Sequence, residues 1–91
     1  MKYHVKPTNQ FRRDYKLAMR RGRNMQLLDD VITLLANGQP LDERLRDHSL
    51  TGGYKGDREC HIAPDWLLVY RIDDDVLVLT LTRTGSHSDL F

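Results

Sequence analysis

Tyr3 and Val5 alternate with Lys2, His4 and Lys6. One apolar and one polar face predict a short first strand at a sheet edge, where lysine discourages mispairing. Pro7-Thr8 ends it, and Thr8 is placed to cap a helix. Phe11, Tyr15 and Ala18 then recur at i, i+4 and i+7, a core-facing helical stripe. Gly22 breaks that helix and Asn24 is placed to cap the next. Leu28, Val31, Ile32 and Leu35 form a second apolar stripe, with Asp29 and Asp30 expected to turn outward. Asn37-Gly38-Gln39-Pro40 ends the second helix, and the short link predicts an antiparallel helix pair.

Residues 40–56 carry no strong periodicity and hold Gly52, Gly53 and Gly56, so they read as a long loop. Arg58, Cys60 and Ile62 alternate with Asp57, Glu59 and His61, which predicts a strand with Cys60 and Ile62 toward the helices and His61 on the opposite face. Ala63-Pro64-Asp65 makes a tight connection. Trp66 to Ile72 is apolar enough for a central strand, and Trp66 reads as core. Asp73-Asp74-Asp75 is a polar turn, and Val76 to Arg83 is the last β-rich run. In that run Leu77, Leu79 and Leu81 share the parity of Arg83, so Arg83 faces the core unless a bulge re-aims it. The predicted class is α+β: an N-terminal strand, a helix pair, and an antiparallel three-strand meander covered by the helices on one face.

Ninety-one residues, 40% hydrophobic and 30% charged, fit one small domain, 1–91, of a globular protein. No apolar run is long enough to span a bilayer, and Met1 to Val5 lacks the apolar core of a secretory signal. The lone Cys60 excludes an internal disulfide and a cysteine-rich zinc site, and it fits a reducing cytoplasm.

Net charge is only +1, but it is unevenly distributed. Residues 1–25 carry eight lysines and arginines against Asp14 alone. The remainder carries six against twelve acids. Arg12, Lys16 and Arg20 recur at i, i+4 and i+8, flanked by Arg13 and Arg23. Like charges at this spacing cost helix stability, so the stripe points to an anionic partner, most simply nucleic-acid phosphate. The alternative is a solvated charged face.

The chemistry-bearing residues are His48, His61, Asp65 and His87. Imidazoles titrate near neutrality and can move protons on either side of a phosphodiester. Lys55, Arg58 and Arg83 can stabilise charge developing on the phosphorus centre. These residues equally suit unrelated loop and surface positions. Three histidines and an aspartate also suit a metal, but none has the tight helical spacing of the common zinc motifs, so no metal and no cofactor is expected. His4 falls on the polar face of the first strand and reads as a solvated surface residue.

Asp47-His48-Ser49-Leu50-Thr51-Gly52, Gly56-Asp57-Arg58-Glu59-Cys60-His61-Ile62, Pro64-Asp65-Trp66-Leu67-Leu68-Val69-Tyr70 and Arg83-Thr84-Gly85-Ser86-His87 with Leu90-Phe91 together resemble the YafQ-type branch of the RelE/ParE toxin superfamily. The resemblance covers nearly the whole chain, and the histidine set distinguishes this branch from plain RelE and ParE proteins. It implies a RelE-like fold. It also implies a cytoplasmic, ribosome-dependent mRNA endonuclease of a bacterial toxin–antitoxin module, which cuts mRNA in the ribosomal A site without a metal. The implied partners are a cognate antitoxin, the ribosome with its rRNA, and mRNA, with no membrane and with DNA only through an antitoxin complex. The family's functional positions fall on His48, His61, Asp65, His87 and Phe91. Asp65 and His87 are then the acid–base pair, His48 and His61 position the phosphate, and Phe91 orients a base or the C-terminus. The competing class is a non-catalytic ParE-like or RNA-binding toxin acting by binding alone, which would not need the histidines. A nuclease acting on naked RNA is a third reading, and it would need a complete catalytic set of its own.

Overall fold

In the computed structural model, which describes residues 1–91, the elements run β1 (His4–Pro7), α1 (Asn9–Arg20), α2 (Met25–Ala36), β2 (His48–Ser49), β3 (Arg58–Ala63), β4 (Trp66–Asp73), β5 (Val78–Gly85) and α3 (His87–Leu90). The strands form one sheet in the order β1-β5-β4-β3-β2. β1 runs parallel to β5 and every other pair is antiparallel. β1 is at an edge, as its alternation predicts, and Pro7 is tolerated there because an edge strand has a side that needs no donor.

The helices start where the capping residues put them. Thr8 Oγ1 accepts the Phe11 N–H at 2.9 Å, and Asn24 Oδ1 accepts the Gln26 N–H at 3.2 Å. Gly22, at φ +75°, takes the left-handed conformation that lets α1 stop and α2 begin. Phe11, Ala18, Leu28, Val31 and Leu35 are buried against Cys60, Ile62, Trp66, Leu68, Tyr70, Leu79 and Leu81. This is the main core, between the helices and one face of the sheet. A leucine such as Leu28, completely buried, contributes roughly 1.5–3 kcal/mol. Tyr15 and Ile32 are only half-buried, packed against the core rim. The Tyr15 hydroxyl donates to Asp29 at 2.9 Å and ties α1 to α2, so Asp29 is not simply turned outward.

The other face of the sheet has a smaller apolar cluster. Leu67 and Val69 of β4 meet Leu90 of α3, with Leu50 and Tyr54 packed alongside. The strict alternation of β4 separates the two clusters: 66, 68 and 70 go to one, 67 and 69 to the other.

Two expectations change in the structure, and one alternative left open is decided. Residues 40–56 are not structureless: they hold two 3-10 turns, Glu43–Leu45 and Gly52–Tyr54, and the two-residue strand β2. β5 begins at Val78, not Val76. Val76 and Leu77 are exposed in the turn after Asp73. Asp73 Oδ1 accepts the Asp75 N–H and Leu77 takes φ +54°, so the turn consumes two residues whose composition favours strand. Finally, the leucine parity of β5 does not carry through to Arg83. Leu81 pairs with Tyr70 and Arg83 with Val69, leaving Thr82 as a bulge. Arg83 therefore shares the face of Val69, opposite the main core.

Candidate active site

The site is built on the outer face of β2 and β3, at the β3–β4 turn, and on the first residue of α3. β2 pairs with β3 so that His48 lies directly across from Glu59. His61 follows two residues along the same strand and so projects to the same side. The His48 and His61 rings are 6.3 Å apart between centroids, and His61 and His87 are 5.9 Å apart. Three histidines separated by up to 39 positions in the chain thus form one row.

Glu59 lies beneath that row at 5% exposure. Its Oε1 is 3.7 Å from His48 Nε2 and 3.9 Å from His61 Nε2. Both separations exceed a hydrogen bond, so these imidazoles compensate the buried carboxylate only where one of them carries a second proton. His61 Nδ1 is buried with no partner.

Asp65 occupies the β3–β4 turn in the left-handed conformation, φ +54°. A single oxygen, Oδ1, accepts both the His87 backbone N–H at 3.0 Å and His87 Nδ1 at 2.9 Å. The two bonds, the backbone one first, hold the Asp65 carboxyl below its ordinary range. An ionised carboxylate can only accept, so Nδ1 carries the proton and Nε2 is left for substrate. His48 is set the same way, because its Nδ1 is 2.7 Å from the Arg46 carbonyl, which also only accepts.

His87 is placed by the cap of α3. Ser86 Oγ accepts the Asp89 N–H, and the Asp89 carboxylate accepts the Ser86 N–H, a reciprocal capping box. Arg21 adds an ion pair to Asp89 at 2.9 Å. Those bonds, led by the Ser86 N–H, hold Asp89 below the usual carboxylate range. Leu90 then plugs the outer-face cluster, and Phe91 leaves it 62% exposed, its ring edge-on to Tyr54 at 5.4 Å.

The cations divide. Arg83, on the same sheet face as the cluster beneath the histidines, is forked onto Asp14 of α1 by Nε at 3.1 Å and Nη2 at 3.0 Å. Arg58 pairs with Tyr70, on the helix side of the sheet, and its guanidinium is held by Asp47 and Ser49. Asp47 also accepts from the Tyr70 hydroxyl. Arg58 thus secures the start of β2, on the side of the sheet away from the histidine row. Lys55 is exposed, without a side-chain partner, and Arg71 donates to its carbonyl. Arg12, Arg13, Lys16 and Arg20 are all exposed on α1. Arg23 stands apart from them, stacked over Trp66 at 5.1 Å with a contact to the Asp65 carbonyl.

Sequence reasoning missed Glu59 and Asp14. The signal for Glu59 was its shared parity with His61. Sequence spacing also argued against a metal, yet the sheet and α3 bring Glu59, His61 and His87 together with one donor atom each, all within 4.8 Å of one another. A carboxylate and two imidazoles are a donor set that zinc or copper accepts.

A five-stranded α+β fold carrying a row of histidines on one sheet face defines a class of small bacterial toxins. The profile of the family described as bacterial toxin of type II toxin–antitoxin system, YafQ, matches residues 3–91, and the chain belongs to that family. The mRNA interferase toxin YafQ of Escherichia coli is 40% identical over 88 residues, spanning 96% of this chain and 94% of the relative. The crystal structure of YafQ from Escherichia coli superposes with a TM-score of 0.92 at 38% identity over 98% of both chains. The toxin in the Escherichia coli DinJ–YafQ toxin–antitoxin complex gives 0.89 at 38% identity, over 100% and 99% of the two chains. A metal-bound toxin from Helicobacter pylori gives 0.91 at 43% identity, over 98% and 99%.

Proposed function

We propose that residues 1–91 form one toxin domain that cleaves mRNA in the ribosomal A site by acid–base catalysis, with the messenger's own 2′-OH as nucleophile. The observation that carries this reading is the convergence of His48, His61 and His87 on one sheet face, with Asp65 bonded to His87 Nδ1. Binding alone needs no such row, which disfavours the non-catalytic reading. The Escherichia coli relative is named an mRNA interferase toxin, which supports the substrate class.

In this mechanism one imidazole takes the proton of the 2′-OH as its oxygen bonds to phosphorus. The bond to the 5′-oxygen breaks, and a second imidazolium returns a proton to that oxygen. The products are a 2′,3′-cyclic phosphate and a 5′-OH. His87 is one of the proton-moving pair through Nε2, with Asp65 fixing its tautomer. His48 and His61 hold the phosphate, Arg83 meets the developing charge, and Phe91 orients a base. No group in this scheme needs a metal. The exposure of Asp65 and His87 suits a substrate already aligned by the ribosome.

Arg12, Arg13, Lys16 and Arg20 contact rRNA phosphates. The toxin is cytoplasmic, with a cognate antitoxin as its protein partner and DNA reached only through that complex. No helix is long and apolar enough to cross a membrane.

Single-turnover cleavage on programmed ribosomes tests the mechanism. The expected products carry a 5′-OH, and a 2′-deoxy residue at the cut site blocks the reaction. A 5′-phosphate product overturns the 2′-OH route. EDTA-treated toxin, assayed with the ribosome's magnesium kept, should retain activity. Activity that returns only with zinc points instead to Glu59, His61 and His87 as ligands.

A further inference from the structure

A cleft of about 650 Å³ opens beside the histidine row, between α2 and the 3-10 turn at residues 43–45. His61 belongs to both: its ring faces His48 and His87 and also lines the cleft. The walls are apolar, formed chiefly by Leu27, Leu45 and Pro64. The mouth is cationic. Asp42 is the only acid of the lining, and it is neutralised by Arg44 at 3.2 Å. Arg46 has no carboxylate partner at all. Arg46 takes the left-handed conformation, φ +50°, and its carbonyl holds His48 Nδ1. One residue therefore sets a catalytic imidazole with its backbone and carries an unneutralised cation into the adjoining cleft.

We propose that this cleft takes a nucleotide of the mRNA next to the scissile phosphate, its base against Leu27, Leu45 and Pro64 and its phosphate on Arg46. The inference rests on the nuclease reading above and adds a subsite to it. The occupant is polyanionic and carries flat apolar rings, which is what apolar walls with a cationic mouth complement. The cleft adjoins the reacting centre through His61, so a nucleotide next to the scissile phosphate is within its reach. An acidic segment of a protein partner has the matching charge but not the requirement for this adjacency.

Leu27 allows a clean test, since it is an exposed helix residue at 42% exposure on the cleft wall and both charge variants should fold. Leu27→Glu and Leu27→Lys are compared for binding to ribosomes programmed with a 2′-deoxy, uncleavable A-site codon, and to ribosomes with no A-site codon. Single-turnover cleavage is followed on the all-ribose message. Leu27→Glu should raise the half-saturating ribosome concentration about two- to fivefold, as one partly exposed charge contact does, while Leu27→Lys, which loses the leucine contact but adds a cation, should raise it by clearly less. The maximal cleavage rate should move little, and the difference should vanish on ribosomes without the codon. Arg46→Gln should weaken binding in the same way, and Arg46→Lys should restore most of it. Equal effects of Glu and Lys at 27, or equal effects with and without the codon, overturn the subsite. So does a change confined to antitoxin affinity, which would give the cleft to the antitoxin. Should the unsubstituted toxin bind programmed ribosomes without cutting them, the nuclease reading fails. The charge dependence of binding still decides the cleft.

Discussion

Asp65 and His87 are joined twice through one oxygen: Asp65 Oδ1 accepts both the ring Nδ1 and the backbone N–H of His87. One carboxylate thus fixes the tautomer of the imidazole and the position of the helix turn that carries it. Asp65→Ala removes both bonds and leaves a Cβ-bearing residue at φ +54° with no polar side chain to support it. Single-turnover cleavage should fall about a hundred- to ten-thousand-fold, with ribosome binding largely kept. Asp65→Asn tolerates the turn and can still accept the backbone N–H, so its fold should match the parent while its rate stays depressed. An Asn variant with the parent rate would remove the carboxylate's charge from the mechanism.

Asp14 gives a second, structural prediction. It is buried, and its carboxylate accepts from Arg83, from the Thr84 backbone N–H and from Gln10. Asp14→Ala leaves the Thr84 N–H buried without a partner and frees Arg83 to swing. The expected loss is about 1–3 kcal/mol by urea unfolding, with activity lowered as Arg83 disorders. Arg83→Lys cannot reproduce the two-point fork and should lose part of the same stability.

The exposed stripe on α1 should reveal itself through salt. Replacing Arg12, Lys16 and Arg20 by Gln removes three cations without touching the core. Ribosome affinity should fall and its dependence on salt flatten, because fewer counterions are released. Unchanged affinity and slope with the fold intact would mean a merely solvated face.

Low pH should loosen α3 before the main core. Asp65 and Asp89 both titrate below the ordinary carboxylate value in the folded chain. A depressed folded pKa means that stabilisation is fully present above the unfolded value of about 3.9 and is lost as pH falls through the folded one. Below about pH 4, amide exchange at His87 and Asp89 should therefore accelerate while that of β4 stays slow. Uniform acceleration across β4 and α3 would show that the cap is not separately titrated.

Much of this was legible in the chain because it is written in local periods. Phe11, Ala18, Leu28, Val31 and Leu35 sit in the core where helical spacing puts them, and Cys60 and His61 divide across the sheet where alternation puts them. Asp14 was not legible, since an acid in a basic helix reads as solvated and its partner Arg83 lies 69 residues away. β2 was missed because two residues carry no period. Val76 and Leu77 have strand composition, but the turn after Asp73 claimed them. The histidine set came from residue chemistry and the resemblance gave it roles; the shared parity of Glu59 and His61 was in the sequence but pointed to no role until β2 was seen to bring His48 across.

The alternation of β3 and β4 also determines which changes this site can survive. Cys60, Ile62, Trp66, Leu68 and Tyr70 hold the fold together, while Glu59, His61, Leu67 and Val69 form or underlie the chemical surface, so the two sets can drift separately by substitution. A gain or loss of one residue between His61 and Trp66 that the bulge between His61 and Ala63 did not absorb has no such freedom. It would exchange the two sets, driving an imidazole into the apolar interior and a thiol out to the messenger. The left-handed turn at Asp65 and the bulge between His61 and Ala63 together set the register of this hairpin, so the residue that grips His87 also helps to keep the inside of the sheet from becoming its outside.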